Sequence, residues 1–115
     1  MRAAVRAGNQ LRREPYLWGG GHMSFSARGY DCSGSVSYVL HAAGLLDQPE
    51  VSGALMKYGK PGPGRWITIY ANRTHAFAYI AGLHFDTSGM GASGPRWRPE
   101  PREHGGFAVR HPAGF

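Results

Sequence analysis

The sequence has very little cysteine: one residue, Cys32, in 115. That excludes an internal disulfide framework and any zinc site built on several thiolates. Acid is scarce as well. Seven Asp+Glu face 13 Lys+Arg, and only Lys57 and Lys60 among the cations are lysines, so the chain carries a net charge of +6 and a pI near 10.0. No apolar run approaches the roughly 18 residues needed to cross a membrane, so no membrane span is expected. The opening "MRAAVRAGNQLRR" lacks the apolar centre of a secretory signal, and nothing in the chain is expected to direct export. The glycines at 19–21 are not followed by the Lys-Ser/Thr of a phosphate loop. His22, His75, His84, His104 and His111 show neither an i, i+4 pair nor cysteine companions, so no metal and no cofactor is expected.

The basic charge has two readings: a solvated surface, or attraction to a polyanion such as nucleic acid or an anionic cell-wall polymer. No aromatic-studded basic sheet motif or helix-turn-helix pattern accompanies it, so nucleic acid is not expected as a partner.

What the chain does contain is a globular composition, 42% hydrophobic and 12% aromatic, over a length that suits one domain, residues 1–115, around a single core. Ala4, Val5, Ala7 and Leu11 fall at helical spacing, with Arg2, Arg6, Arg12 and Arg13 elsewhere on the wheel, which predicts a short amphipathic helix ending before Pro15. Residues 14–30 read as loop. In "DCSGSVSYVLHAAG", Asp31 suits an N-cap and Gly44 the residue just past a helix end, while Val36, Val39, Leu40 and Ala43 form an i, i+3, i+4, i+7 stripe. A short helix from Ser52 and a Pro/Gly turn are expected next. "WITIYA" and "HAFAYIA" read as strands joined by a turn at Asn72-Arg73-Thr74, and a tight reversal at Ala81-Gly82 or Gly82-Leu83 leads into "LHFDTS". Residues 87–106 are rich in Gly, Pro and Arg and read as a long loop with Trp97 packed down as an anchor; "GFAVRHP" reads as a last strand. Helices first and antiparallel strands afterwards make the fold class α+β.

This organisation puts Cys32 in the first turn of a helix, directly after its N-cap. Unpaired N–H groups and the helix dipole there favour a thiolate, and the same donors suit an oxyanion formed during acyl transfer. The competing reading is a small, buried, inert thiol. His75, opening a strand after a turn, is the candidate base. Strand parity places His75, Phe77 and Tyr79 on one face, and across either tight reversal Asp86 falls on that face too. Asp86 is the one carboxylate between 51 and 99, which makes it the candidate partner to orient His75, with His84 the alternative and an exposed strand-end carboxylate the competing reading.

"PYLWGG", then "GYDCSGSVSYVLHAAGLL", then a strand opening with His in "HAFAYIAG" resemble the NlpC-type cell-wall peptidases, over residues 2–88 in order. The resemblance implies a papain-like fold and a cysteine peptidase or amidase that cuts amide bonds in peptidoglycan stem peptides, working in the cell envelope or outside the cell. It implies Cys32 as nucleophile, His75 as base and Asp86 as the third, polar member, in a hairpin about one residue shorter than usual. Tyr16, Asp31 and Ser33 match substrate-cleft residues, with Asp31 facing a substrate amine as well as capping the helix. "GRWITIY" replaces the family's "GDLVFF", and "HAFAYIAG" its "HVGIYIG". Two alternatives stay open: a non-catalytic module binding wall or polyanion on the same fold, and a thiol acyltransferase.

Overall fold

The computed structural model describes residues 2–11, 31–87, 97–98 and 105–115. Helix α1, Arg2–Leu11, buries Ala4 and Ala7, leaves Val5 half-buried against the core, and turns Arg2 and Arg6 to solvent. It lies along helix α2, Cys32–Ala42. Both ends of α2 carry local stop signals. Asp31 is extended (φ −82°, ψ −166°) and its carboxylate accepts the Gly34 N–H at 2.8 Å, an N-cap bond to the third helical residue. At the far end Gly44, at φ +75°, donates to the His41 carbonyl (2.9 Å) and Leu45 to the Leu40 carbonyl (2.9 Å), the paired bonds of a Schellman motif. Val36, Val39 and Leu40 point into the core and Ala43 is half-buried, following the expected stripe. Helix α3, Ser52–Leu55, starts where a short helix was expected and adds Leu55 to the core.

Six antiparallel strands form one sheet in the order β1-β6-β2-β3-β4-β5: β1 Lys60–Pro61, β2 Ile67–Ala71, β3 Ala76–Ile80, β4 Leu83–Phe85, β5 Trp97–Arg98 and β6 Ala108–His111. β2, β3, β4 and β6 fall within the segments read as strands. Ile67, Ile69 and Ala71 on β2, and Ala76, Ala78 and Ile80 on β3, face the helices, which is the period-2 alternation a half-buried strand requires. Ala76 and Ala78 are small, and α2 packs directly on β3.

Two segments depart from the sequence reading. The Pro/Gly stretch after α3 supplies β1, whose Lys60 pairs with His111 and Pro61 with Arg110. Proline lacks an N–H, so a place at the sheet edge suits Pro61. Within 87–106, read as loop throughout, Trp97–Arg98 pairs with β4 and closes the opposite edge. Trp97 packs on Phe85 with ring centroids 4.9 Å apart, and its indole N–H donates to Asn9 at 2.9 Å. A Cβ on Gly8 would stand 2.5 Å from the Trp97 ring, so α1 meets this edge only because position 8 has no side chain.

Candidate active site

Cys32 occupies the first helical position of α2 and is 7% exposed. His75 lies at the mouth of β3, held there by its own turn. The Asn72 side-chain oxygen accepts the backbone N–H groups of Thr74 (2.9 Å) and His75 (2.8 Å), while the Asn72 N–H donates to the His75 carbonyl (2.9 Å). An Asx-type turn thus sets the residue that follows it. Between β3 and β4, Ala81 and Gly82 have φ of +54° and +80°, the left-handed pair of a two-residue hairpin turn. The resulting register sets Tyr79 opposite His84 and Ala78 opposite Phe85, which carries Asp86, one step further on, to the His75 face.

The side chains meet in a chain of contacts. The His75 ring neighbours the Cys32 sulfur, close enough for each to shift the other's pKa. Its Nε2 lies 2.8 Å from Asp86 Oδ1. The other Asp86 oxygen, Oδ2, lies 3.0 Å from His84 Nε2. The ring of His75 lies beside Phe77 and Phe107, at centroid distances of 6.1 and 6.4 Å, and those two rings meet each other edge-on at 5.1 Å.

Burial by itself pushes the Cys32 thiol up, but hydrogen bonds from His75, the Ser52 hydroxyl and the Ala76 backbone N–H, and the charge of His75, outweigh it and hold the thiol below its ordinary value. Burial likewise pulls His75 down. The bond to Asp86, the bond to Cys32 and the charges of both reverse this, raising the imidazole to about 9. The two shifts favour the same state, thiolate beside imidazolium, at the positive end of a helix.

No family model matches the sequence, and no curated protein matches it. Solved structures do. The chain superposes on the P60 domain of a M. avium subspecies paratuberculosis antigen with a TM-score of 0.70 at 24% identity, covering 95% of this chain and 92% of that one. It superposes on the Resuscitation Promoting Factor Interacting protein RipA, in a form mutated at a histidine, with a TM-score of 0.68 at 24% identity, covering 96% of this chain but only 60% of that solved chain. An NlpC/P60 family protein from Bacillus cereus ATCC 10987 gives 0.65 at 18% identity, with 96% and 39% covered. The fold is the NlpC/P60 fold.

On this NlpC/P60 frame, Cys32, His75 and Asp86 come together, and so does His84, which the sequence offered as an alternative to Asp86. Asp31 and Ser33 are 5% and 2% exposed. Asp31 Oδ1 accepts both the Gly34 N–H and, at 3.3 Å, the Ser33 hydroxyl, so the expected capping role is occupied. Tyr16 lies outside the described residues, as do His22 and His104. Among the described residues no group of three or more His, Cys, Asp or Glu is set to hold a metal ion, and no helix is long and apolar enough to cross a membrane.

Sequence reasoning missed Ser52, whose hydroxyl lies 3.6 Å from the Cys32 sulfur. Reciprocal bonds between Ser37 and the Glu50 backbone (3.1 and 3.0 Å) tie the start of α3 back to α2. A serine expected to begin a helix carried the only signal, and that signal says nothing of sulfur.

Proposed function

We propose that this chain is a cysteine peptidase or amidase that hydrolyses amide bonds in peptidoglycan stem peptides. The observation that carries the reading is the contact chain from Cys32, in the first turn of α2, through His75 to Asp86. The Cys32 thiolate attacks the amide carbonyl carbon, and the first-turn N–H groups of α2 suit the oxyanion that forms. Protonated His75 gives its proton to the leaving amine, so the C–N bond breaks and a thioester remains. His75, now neutral, takes a proton from water as that water attacks the thioester, and the acid product leaves with the thiolate restored. Asp86 keeps His75 aimed and stabilises its charged form.

On the resemblance, Tyr16, Asp31 and Ser33 line the substrate cleft, and the protein works in the cell envelope or outside the cell. The net charge of +6 supports attraction to anionic wall polymers. Mass spectrometry of purified muropeptides after incubation with the protein tests the reaction. Newly cut stem peptides are expected, and they should vanish with Cys32→Ala. Unchanged cleavage by Cys32→Ala would defeat the proposal, and added amine appearing in the products would make the protein an acyltransferase.

A further inference from the structure

Asp86 is 3% exposed and sits between two imidazoles, each presenting Nε2 to a different oxygen: His75 at 2.8 Å to Oδ1 and His84 at 3.0 Å to Oδ2. A carboxylate held at one oxygen can still swing about its Cβ–Cγ bond. Held at both, by groups on two different strands' segments, it cannot. The second anchor is itself rigid. His84 is 7% exposed, its ring stacks on Tyr79 with centroids 5.1 Å apart and planes 11° off parallel, and its neighbour Phe77 meets it edge-on at 5.5 Å.

We propose that His84 is a positioning residue of this site: its Nε2–H holds the outer oxygen of Asp86, which keeps the inner oxygen aimed at His75. The active group is then a chain of four, Cys32–His75–Asp86–His84, rather than a triad. The proposal rests on the assignment of Cys32 and His75 made above. Because a carboxylate only accepts, both histidines must carry hydrogen on Nε2. His84 acts only through Asp86.

The test is the pH profile of Cys32 alkylation by iodoacetamide, read beside far-UV circular dichroism. In the wild type, half-maximal labelling is expected below the ordinary thiol value. His84→Phe keeps an aromatic ring on Tyr79 but removes the donor, and should move the midpoint up by about one pH unit, the effect expected from loosening a hydrogen bond to a charged group. His84→Gln returns a donor near the same point and should recover most of that shift. A wild-type midpoint below the ordinary thiol value with an unmoved His84→Phe profile overturns the His84 proposal alone. A wild-type midpoint at the ordinary thiol value overturns the Cys32–His75 pairing itself. Nitrogen-15 NMR of the unsubstituted protein gives a reading that needs no variant to fold: His84 should carry hydrogen on Nε2, and hydrogen on Nδ1 alone would overturn the proposal.

Discussion

The two faces of β3 differ in chemistry and in what they hold. Toward the helices it shows Ala76, Ala78 and Ile80, all at most 1% exposed and packed with Val36, Leu40, Ile69 and Phe85. Away from them Phe77 stacks on Tyr70 (centroids 5.0 Å, planes 15° apart) and Tyr79 stacks on His84, while His75 and Asp86 share that side at the strand's mouth. The first face is small and aliphatic and derives its value from exclusion of water and close approach of α2. The second is polar and aromatic, where each contact fixes an orientation. Substitutions on the two should therefore separate stability from reactivity.

The largest expected effect lies at the reactive end. Cys32→Ala should abolish muropeptide cleavage and all thiol labelling, while the thermal midpoint moves little, because an alanine in that first helical turn keeps the Asp31 cap. A thermal midpoint lowered by tens of degrees would break the comparison by making Cys32 a core residue first. The converse is Leu40→Ala. Its side chain is 1% exposed, and loss of a buried leucine costs about 2–5 kcal/mol through lost transfer energy plus the cavity left behind. Thermal unfolding should shift down accordingly, with the alkylation pH profile of the folded fraction unchanged.

The pH dependence sharpens the same contrast. The reactive state needs Cys32 without its proton and His75 with one. As pH falls, activity is lost where Cys32 takes up its proton, below the ordinary thiol value. As pH rises, it is lost where His75 gives its proton up, at about 9. Cleavage should follow a bell whose alkaline limb lies near 9. Alkylation needs only the thiolate, so it should rise through the acid limb and stay high. Asp86→Asn removes the charge that raises His75 and should draw the alkaline limb of cleavage down by about one pH unit. An alkaline limb that stays at 9 in Asp86→Asn would assign His75's raised value to sulfur alone.

Much of this arrangement was legible because its signals are local. Asp31 and Gly44 bracket α2 as capping chemistry requires, and period-2 parity set Asp86 on the face of His75 whichever pair of residues made the turn. What stayed hidden depends on partners distant in the chain. β1 and β5 are two residues each, too short for a periodic pattern, and exist because β6 and β4 offer them an edge. Ser52 reaches sulfur only because Ser37 and Glu50 fold the intervening chain back. Sequence parity also admitted Asp86 and His84 to the same face as rivals. It could not tell that one carboxylate would meet both imidazoles, because that depends on side-chain reach rather than on which side of the strand each residue takes.

The smallest effect belongs to the turn that sets this parity. Ala81 adopts φ +54°, the single non-glycine residue with positive φ among the described residues. A left-handed conformation costs an L-residue with a Cβ roughly 1 kcal/mol, and glycine avoids it at the expense of a floppier unfolded chain. Ala81→Gly should therefore raise stability by about 0.5 kcal/mol, seen as a small increase in the denaturant midpoint at constant slope. The register is also fixed by the Tyr79–His84 and Ala78–Phe85 pairs, so the labelling profile of Cys32 should not move. If it does, the strained alanine is part of how β4 aims Asp86, and the turn belongs with the reactive face rather than with the scaffold.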